Sequence, residues 1–224
     1  MDCRPEYVDL ALMDECRVIT DVSGSQSVTR ADFDAIVPRL SARWEEERKE
    51  ELTNALRPHL PSLPQDTDPL GLAIAVFPCR CPRMMRGYSH WHYPAVLGHP
   101  CSRSMDYLSA LELGELDTYT STVINLHSDG LQSRKRYPFA LKQLVDLNRA
   151  LATSVKAMCS IVAALGLDPA TATVNDLKNC EGRVRCRTCQ IVGDTTSENN
   201  LEARVYSWEA AVSVSSMQSW FMLW

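Results

Sequence analysis

Cysteine and histidine gather at two places in this chain, and thiolate sulfur and imidazole nitrogen are the donors that zinc favours. The first cluster is Cys79-x-Cys81 followed by His99-x-Cys101, and the second is Cys186-x-x-Cys189 with Cys180 close by. Cys79, Cys81, His99 and Cys101 together supply three thiolates and one imidazole, the number a tetrahedral structural zinc requires. Cys-x-Cys spacing puts two sulfurs on the same side of an extended chain. That is a less common approach to one metal than the tight turn of Cys-x-x-Cys. His90 and His92 stand in reserve between the two halves. The competing reading is a set of cysteines packed at a helix end, with His99 bonded to backbone. A copper site on His90-x-His92 is the weaker metal alternative.

Cys186 and Cys189 have the spacing of a zinc knuckle, but they make only half a site. Cys180 could be a third ligand, and no histidine follows His127 to supply an ordinary second half. Cys186 and Cys189 are therefore read as an incomplete second metal site or a reduced thiol pair.

Other chemistry is sparse. There is no phosphate-cradling glycine loop and no G-x-S-x-G elbow, and the chain is read as non-catalytic. Arg80, Arg83, Arg86 and Arg103 surround the first cluster, interleaved with Tyr88, Trp91 and Tyr93. Arg183, Arg185 and Arg187 alternate beside the second cluster and would share one strand face. Charge and stacking of this kind make a zinc-supported nucleic-acid binder the alternative function. Against it, the chain as a whole is acidic, with a net charge of −5.

The elements that must hold these residues are mostly helical. Residues 5–20 read as one helix, and 21–27 as a break. Thr29 with Asp32 has the form of a capping box. Ile36, Leu40, Trp44, Leu52, Leu56 and Leu60 then form a helical stripe, with the stem of Arg48 filling the gap. Pro38 is expected to break or kink its start. Pro58, Pro61 and Pro64 end it, and Asp68-Pro69 signals a new helix leading through the apolar residues 70–77 to Cys79.

Residues 79–103 read as a loop, and 105–136 as a polar connector with a helical start over 105–116. Leu144, Leu147, Leu151, Val155, Met158, Val162 and Leu165 predict a long helix of about 26 residues, closed by Gly166 in the left-handed region. Thr173 and Asp176 cap a short helix, strands are expected over 183–186 and 203–206, and Ser207 caps a last helix. The expected fold class is mainly α with small β elements: helical modules carrying short cysteine knuckles. The expected divisions are an N-terminal segment over 1–28, a helical module with the first cluster over 29–104, and the connector over 105–136. The long helix and second knuckle occupy 137–215, and an apolar tail without an assigned place in the fold occupies 216–224.

The nine cysteines are an odd number, and Met1-Asp2-Cys3-Arg4 does not open a secretory leader. A reducing cytoplasmic or nuclear setting is expected, with metal or burial rather than disulfides accounting for the thiols. No apolar run is long enough to span a membrane.

Several runs carry a family resemblance. They are Asp34-Ala35-Ile36-Val37-Pro38, Trp44-Glu45-Glu46-Glu47-Arg48, Asp68-Pro69-Leu70 and Phe77-Pro78-Cys79. To these add Tyr93-Pro94-Ala95-Val96-Leu97-Gly98-His99-Pro100-Cys101, Gly166-Leu167-Asp168-Pro169 and Trp208-Glu209-Ala210-Ala211-Val212. The pattern resembles a group of uncharacterised proteins of mushroom-forming (basidiomycete) fungi, many labelled F-box proteins. The resemblance implies an adaptor-like protein-interaction module in a ubiquitin-ligase context. The chain departs from the pattern in three respects: no Leu-Pro-led F-box helix over 1–28, a first cysteine pair one residue short, and Val214 where such proteins tend to carry a histidine.

Overall fold

The computed structural model describes residues 4–21, 27–64, 66–79, 89–103, 117–125, 137–141, 147–186, 205–215 and 221–223. Cys81, Cys189, Arg80, Arg83, Arg86, Tyr88 and Arg187 lie outside the described residues, as do most of the connector and residues 216–220 of the tail. The fold is mainly α with small β elements, in two compact units: residues 1–51 with 97–143, and residues 52–96 with 144–224. Among the described residues no helix is long and apolar enough to cross a membrane.

Unit 1 contains α1 (Tyr7–Ala11), α2 (Asp14–Thr20), α3 (Arg30–Asp34), α4 (Val37–Leu56, as far as Glu51) and α5 (Thr118–Asn125). The single helix expected over 5–20 is two. Leu12 closes α1, and Met13 opens α2 in extended conformation, so that Asp14 and Glu15 fall in a first helical turn, where the helix dipole favours acids. Thr29 starts α3 as its sequence implies: its backbone N–H and hydroxyl both donate to Asp32 Oδ2, at 2.8 and 2.7 Å. The helix that Thr29 starts is broken at 35–36, just before Pro38, as expected. Pro38 then occupies the first turn of α4, where its missing N–H would have had no intrahelical acceptor.

The α4 stripe buries Leu40 and Trp44 in this unit. Trp44 meets Phe139 edge-on at 6.2 Å, and the Arg48 guanidinium lies over both rings at 6.0 and 5.9 Å. A second cluster joins Val8 of α1 to Val123 and Ile124 of α5 and to Tyr137. Tyr7 and Tyr119 flank it, donating to the carbonyls of Val123 and Ala11 at 3.2 and 2.7 Å.

Unit 2 is built around α6 (Leu147–Ala164), with α7 (Val174–Asn179) and α8 (Trp208–Ser215). Residues 142–146, where the predicted long helix would begin, lie outside the described residues. The buried stripe is Leu151, Val155, Met158 and Val162, joined by Ile161. α6 ends as Gly166 requires. Gly166 has φ +76°, its N–H donates to Ala163 at 3.0 Å, and Leu167 N–H reaches back to Val162 at 3.1 Å. This is the paired bonding of a Schellman cap. Thr173 and Asp176 cap α7 reciprocally, at 2.7 and 3.2 Å.

Asp68-Pro69 starts only a 3-10 turn, Pro69–Gly71, with Asp68 Oδ1 accepting from Leu70 N–H at 3.0 Å. The chain then turns again at Ala73 and Ile74, where Ala75 N–H donates to the Leu72 carbonyl at 3.1 Å, before entering β1. Leu72 bridges to Thr173, and Ala73 N–H donates to the Ala172 carbonyl at 2.8 Å. The residues from Leu72 to Phe77 are all buried, which explains their unbroken apolar run.

They lead into β1 (Phe77–Cys79), paired antiparallel with β2 (Ser89–Trp91) so that Cys79 faces Ser89. The expected loop over 79–103 therefore contains a strand and two 3-10 turns, Ala95–Gly98 and Pro100–Arg103. A second sheet runs β4-β3-β5, from β4 (Val205–Tyr206), β3 (Val184–Cys186) and β5 (Phe221–Leu223). Phe221–Leu223 of the apolar tail thus pairs with β3.

Candidate metal centre

Cys79 closes β1, and its backbone is fixed by the β2 pairing. His99 stands between the two 3-10 turns, and Cys101 lies inside the second. The His99 carbonyl accepts from both the N–H and the hydroxyl of Ser102, at 3.1 and 2.6 Å. Those two bonds fix the backbone that carries the imidazole. Ser102 is itself fully buried, and its own carbonyl accepts from Ala140 N–H at 2.9 Å.

Cys79, His99 and Cys101 converge. One donor atom from each lies within 4.8 Å of the other two, and the group could hold a metal ion. Cys79 and His99 are buried, and Cys101 is half-buried. Around a tetrahedral zinc with bonds of about 2.0–2.3 Å, neighbouring donors stand about 3.5–3.8 Å apart. Burial pushes the His99 imidazole below its ordinary pKa, which favours the neutral form that ligates. His99 Nδ1 accepts from Cys101 N–H at 3.2 Å, so the neutral ring carries its proton on Nε2. Ligation through Nδ1 would replace that N–H with the metal.

The remaining predicted ligands are distributed differently. Cys81, the fourth member, lies outside the described residues. Of the second cluster, Cys186 closes β3, Cys189 lies outside the described residues, and Cys180 is the half-buried C-cap of α7. The two reserve histidines are engaged elsewhere. His90 Nε2 lies 3.0 Å from Ser154 Oγ, and His92 Nε2 donates to the Ala73 carbonyl at 2.9 Å.

The grouping of Arg103 with a solvated basic loop is corrected. Arg103 is 8% exposed. Its Nη1 sits 2.7 Å from Asp9 Oδ2, an ionic contact without the angle of a hydrogen bond, and its guanidinium lies over the Trp44 ring at 5.9 Å. Asp9 is the residue that sequence reasoning missed. Its carboxylate also accepts from the N–H groups of Glu6 and Phe139, each at 2.8 Å. The only local signal was the three-residue offset of Glu6 and Asp9, which matches a capping box. No family model, curated protein or solved structure matches the chain.

Proposed function

We propose that the protein is a non-catalytic protein-interaction module stabilised by one zinc ion, with Cys79, Cys81, His99 and Cys101 as ligands. The observation that carries this reading is the convergence of Cys79, His99 and Cys101 to within 4.8 Å. Two thiolates and an imidazole suit zinc better than the hard oxygen-seeking cations. Cys81, two residues beyond Cys79, is the natural fourth donor. A structural role accords with a chain whose sequence carries no nucleotide-binding or hydrolase motif. The partner is a protein, and the family resemblance suggests an adaptor in a reducing compartment.

Of the arginines behind the nucleic-acid reading, Arg103 is buried against Asp9 rather than offered to a phosphate, whereas Arg183 is exposed.

Elemental analysis of the purified full chain tests the metal. About one zinc per chain is expected, lost in Cys101→Ser and in Cys81→Ser and retained in Cys159→Ser. A wild-type protein that binds no zinc even when purified with zinc present sinks the proposal. Cobalt substitution gives a second readout, since thiolate ligands produce an intense near-ultraviolet charge-transfer band. A salt-graded titration with single-stranded RNA and DNA separates the two functions: no binding is expected, and affinity that falls steeply with salt would favour the alternative.

A further inference from the structure

Strand β2 and the residue after it place two imidazoles, His90 and His92, on the same side of the chain. Each ties the strand to a different part of unit 2. His90 reaches Ser154, a residue 4% exposed in the middle of α6. His92 donates to the Ala73 carbonyl in the turn before β1, and its ring meets the Trp208 ring of α8 edge-on at 5.9 Å. A carbonyl only accepts, so His92 holds its proton on Nε2 and leaves Nδ1 as a lone pair. His90 Nδ1 is buried with no hydrogen-bond partner among the described residues. Were Ser154 to donate to Nε2, the neutral ring would already hold an orphaned N–H at Nδ1, so the favoured ring donates from Nε2 to Ser154 and keeps a lone pair at Nδ1. A second proton, at Nδ1, then creates a buried N–H with no acceptor among the described residues. Such a group is costly.

We propose that β2 is an acid-released latch: protonation of His90, followed by His92, detaches residues 89–92 from α6, from the turn at Ala73 and from α8.

His92 and Lys178 reinforce this behaviour. Burial, followed by the nearby His92, holds His90 down to about 4. Burial also lowers His92. The Ala73 carbonyl opposes that shift, and Lys178 of α7 adds to it. On α6, Arg149 and Lys156 are exposed, and on α8 so is Glu209. β1 carries no charged side chain, and its one titratable group is the Cys79 thiol, opposite Ser89. In the released strand both imidazoles would take up protons near their ordinary 6.5. The released state therefore binds more protons than the docked one between about 6.5 and about 4, and it gains population as pH falls through that window.

Hydrogen exchange on the full chain, corrected for intrinsic rates, provides the test. From pH 7.5 to 5.0, His90 alone would lower the protection of residues 77–79 and 89–92 by about thirtyfold, while α1 and α5 keep theirs. Unchanged protection in those strands overturns the proposal, as does equal loss in α1 and α5. His90→Gln, which cannot titrate, should flatten most of the dependence, and a folded His90→Gln with the wild-type profile also overturns it. Should that variant fail to fold, the His90 ring resonance in the wild-type protein decides. It should stay unshifted down to about pH 5, and titration near 6.5 refutes the latch.

Discussion

Asp9 in unit 1 and His90 in unit 2 are both polar side chains held within packed structure, yet they are stabilised in opposite ways. Asp9 has the features of a buried ion. Two backbone N–H groups donate to it, and the Arg103 guanidinium supplies the countercharge at 2.7 Å. His90 is held as a neutral ring whose one hydrogen-bond partner among the described residues is Ser154, with no counterion among them. A charge in a low-dielectric setting needs nearly all of its coordination satisfied, whereas an uncharged imidazole tolerates a missing partner until a proton arrives. Unit 1 should therefore be sensitive to losing a partner, and unit 2 to a change of pH.

Four substitutions sharpen this contrast. The largest effect is expected from Asp9→Ala, which strands two backbone donors and leaves Arg103 with only the more distant Glu6 carboxylate, at 3.8 Å, as countercharge among the described residues. Urea denaturation should show a loss of about 3–5 kcal/mol. Adding Arg103→Met should recover part of it, because the remaining charge is removed as well. A single-mutant loss below about 1 kcal/mol would show that the ion pair is not buried in solution.

Ser154→Ala comes next, removing the hydrogen-bond partner that His90 has among the described residues. The expected cost is about 1–3 kcal/mol at pH 7.5. Stability equal to wild type would mean that water reaches the ring. Gly166→Ala serves as a control on backbone conformation. Its φ of +76° disfavours any L side chain although no atom stands within 4 Å of the added methyl, and thermal unfolding should report a loss of about 1 kcal/mol. A larger loss would point to a clash rather than to backbone preference.

Local grammar was readable from the residues. Thr29 with Asp32 and Thr173 with Asp176 cap helices because each pair lies within one turn. The Gly166 stop and the α6 stripe follow for the same reason. Convergence of Cys79, His99 and Cys101 was also legible, because donor chemistry narrows the choice even across long sequence gaps. Arg103 was misread because its partner lies ninety-four positions earlier in the chain, and a basic loop offers no hint of which arginine folds inward. Asp68-Pro69 carries a genuine start signal, but the buried run that follows bridges to Ala172 and Thr173 and turns at Ala73 instead of continuing as a helix. Tertiary pairing overrides propensity there.

Ser102 leaves one further mark on the molecule. It grips the carbonyl of His99 with two donors and is itself gripped by Ala140, next to the Phe139 amide that Asp9 anchors. The aim of an imidazole is thus inherited from a carboxylate that never touches it. Erosion at Asp9 would travel along this short relay and blur the ligand's direction, so cation affinity would register damage to a distant buttress before the chain as a whole came undone.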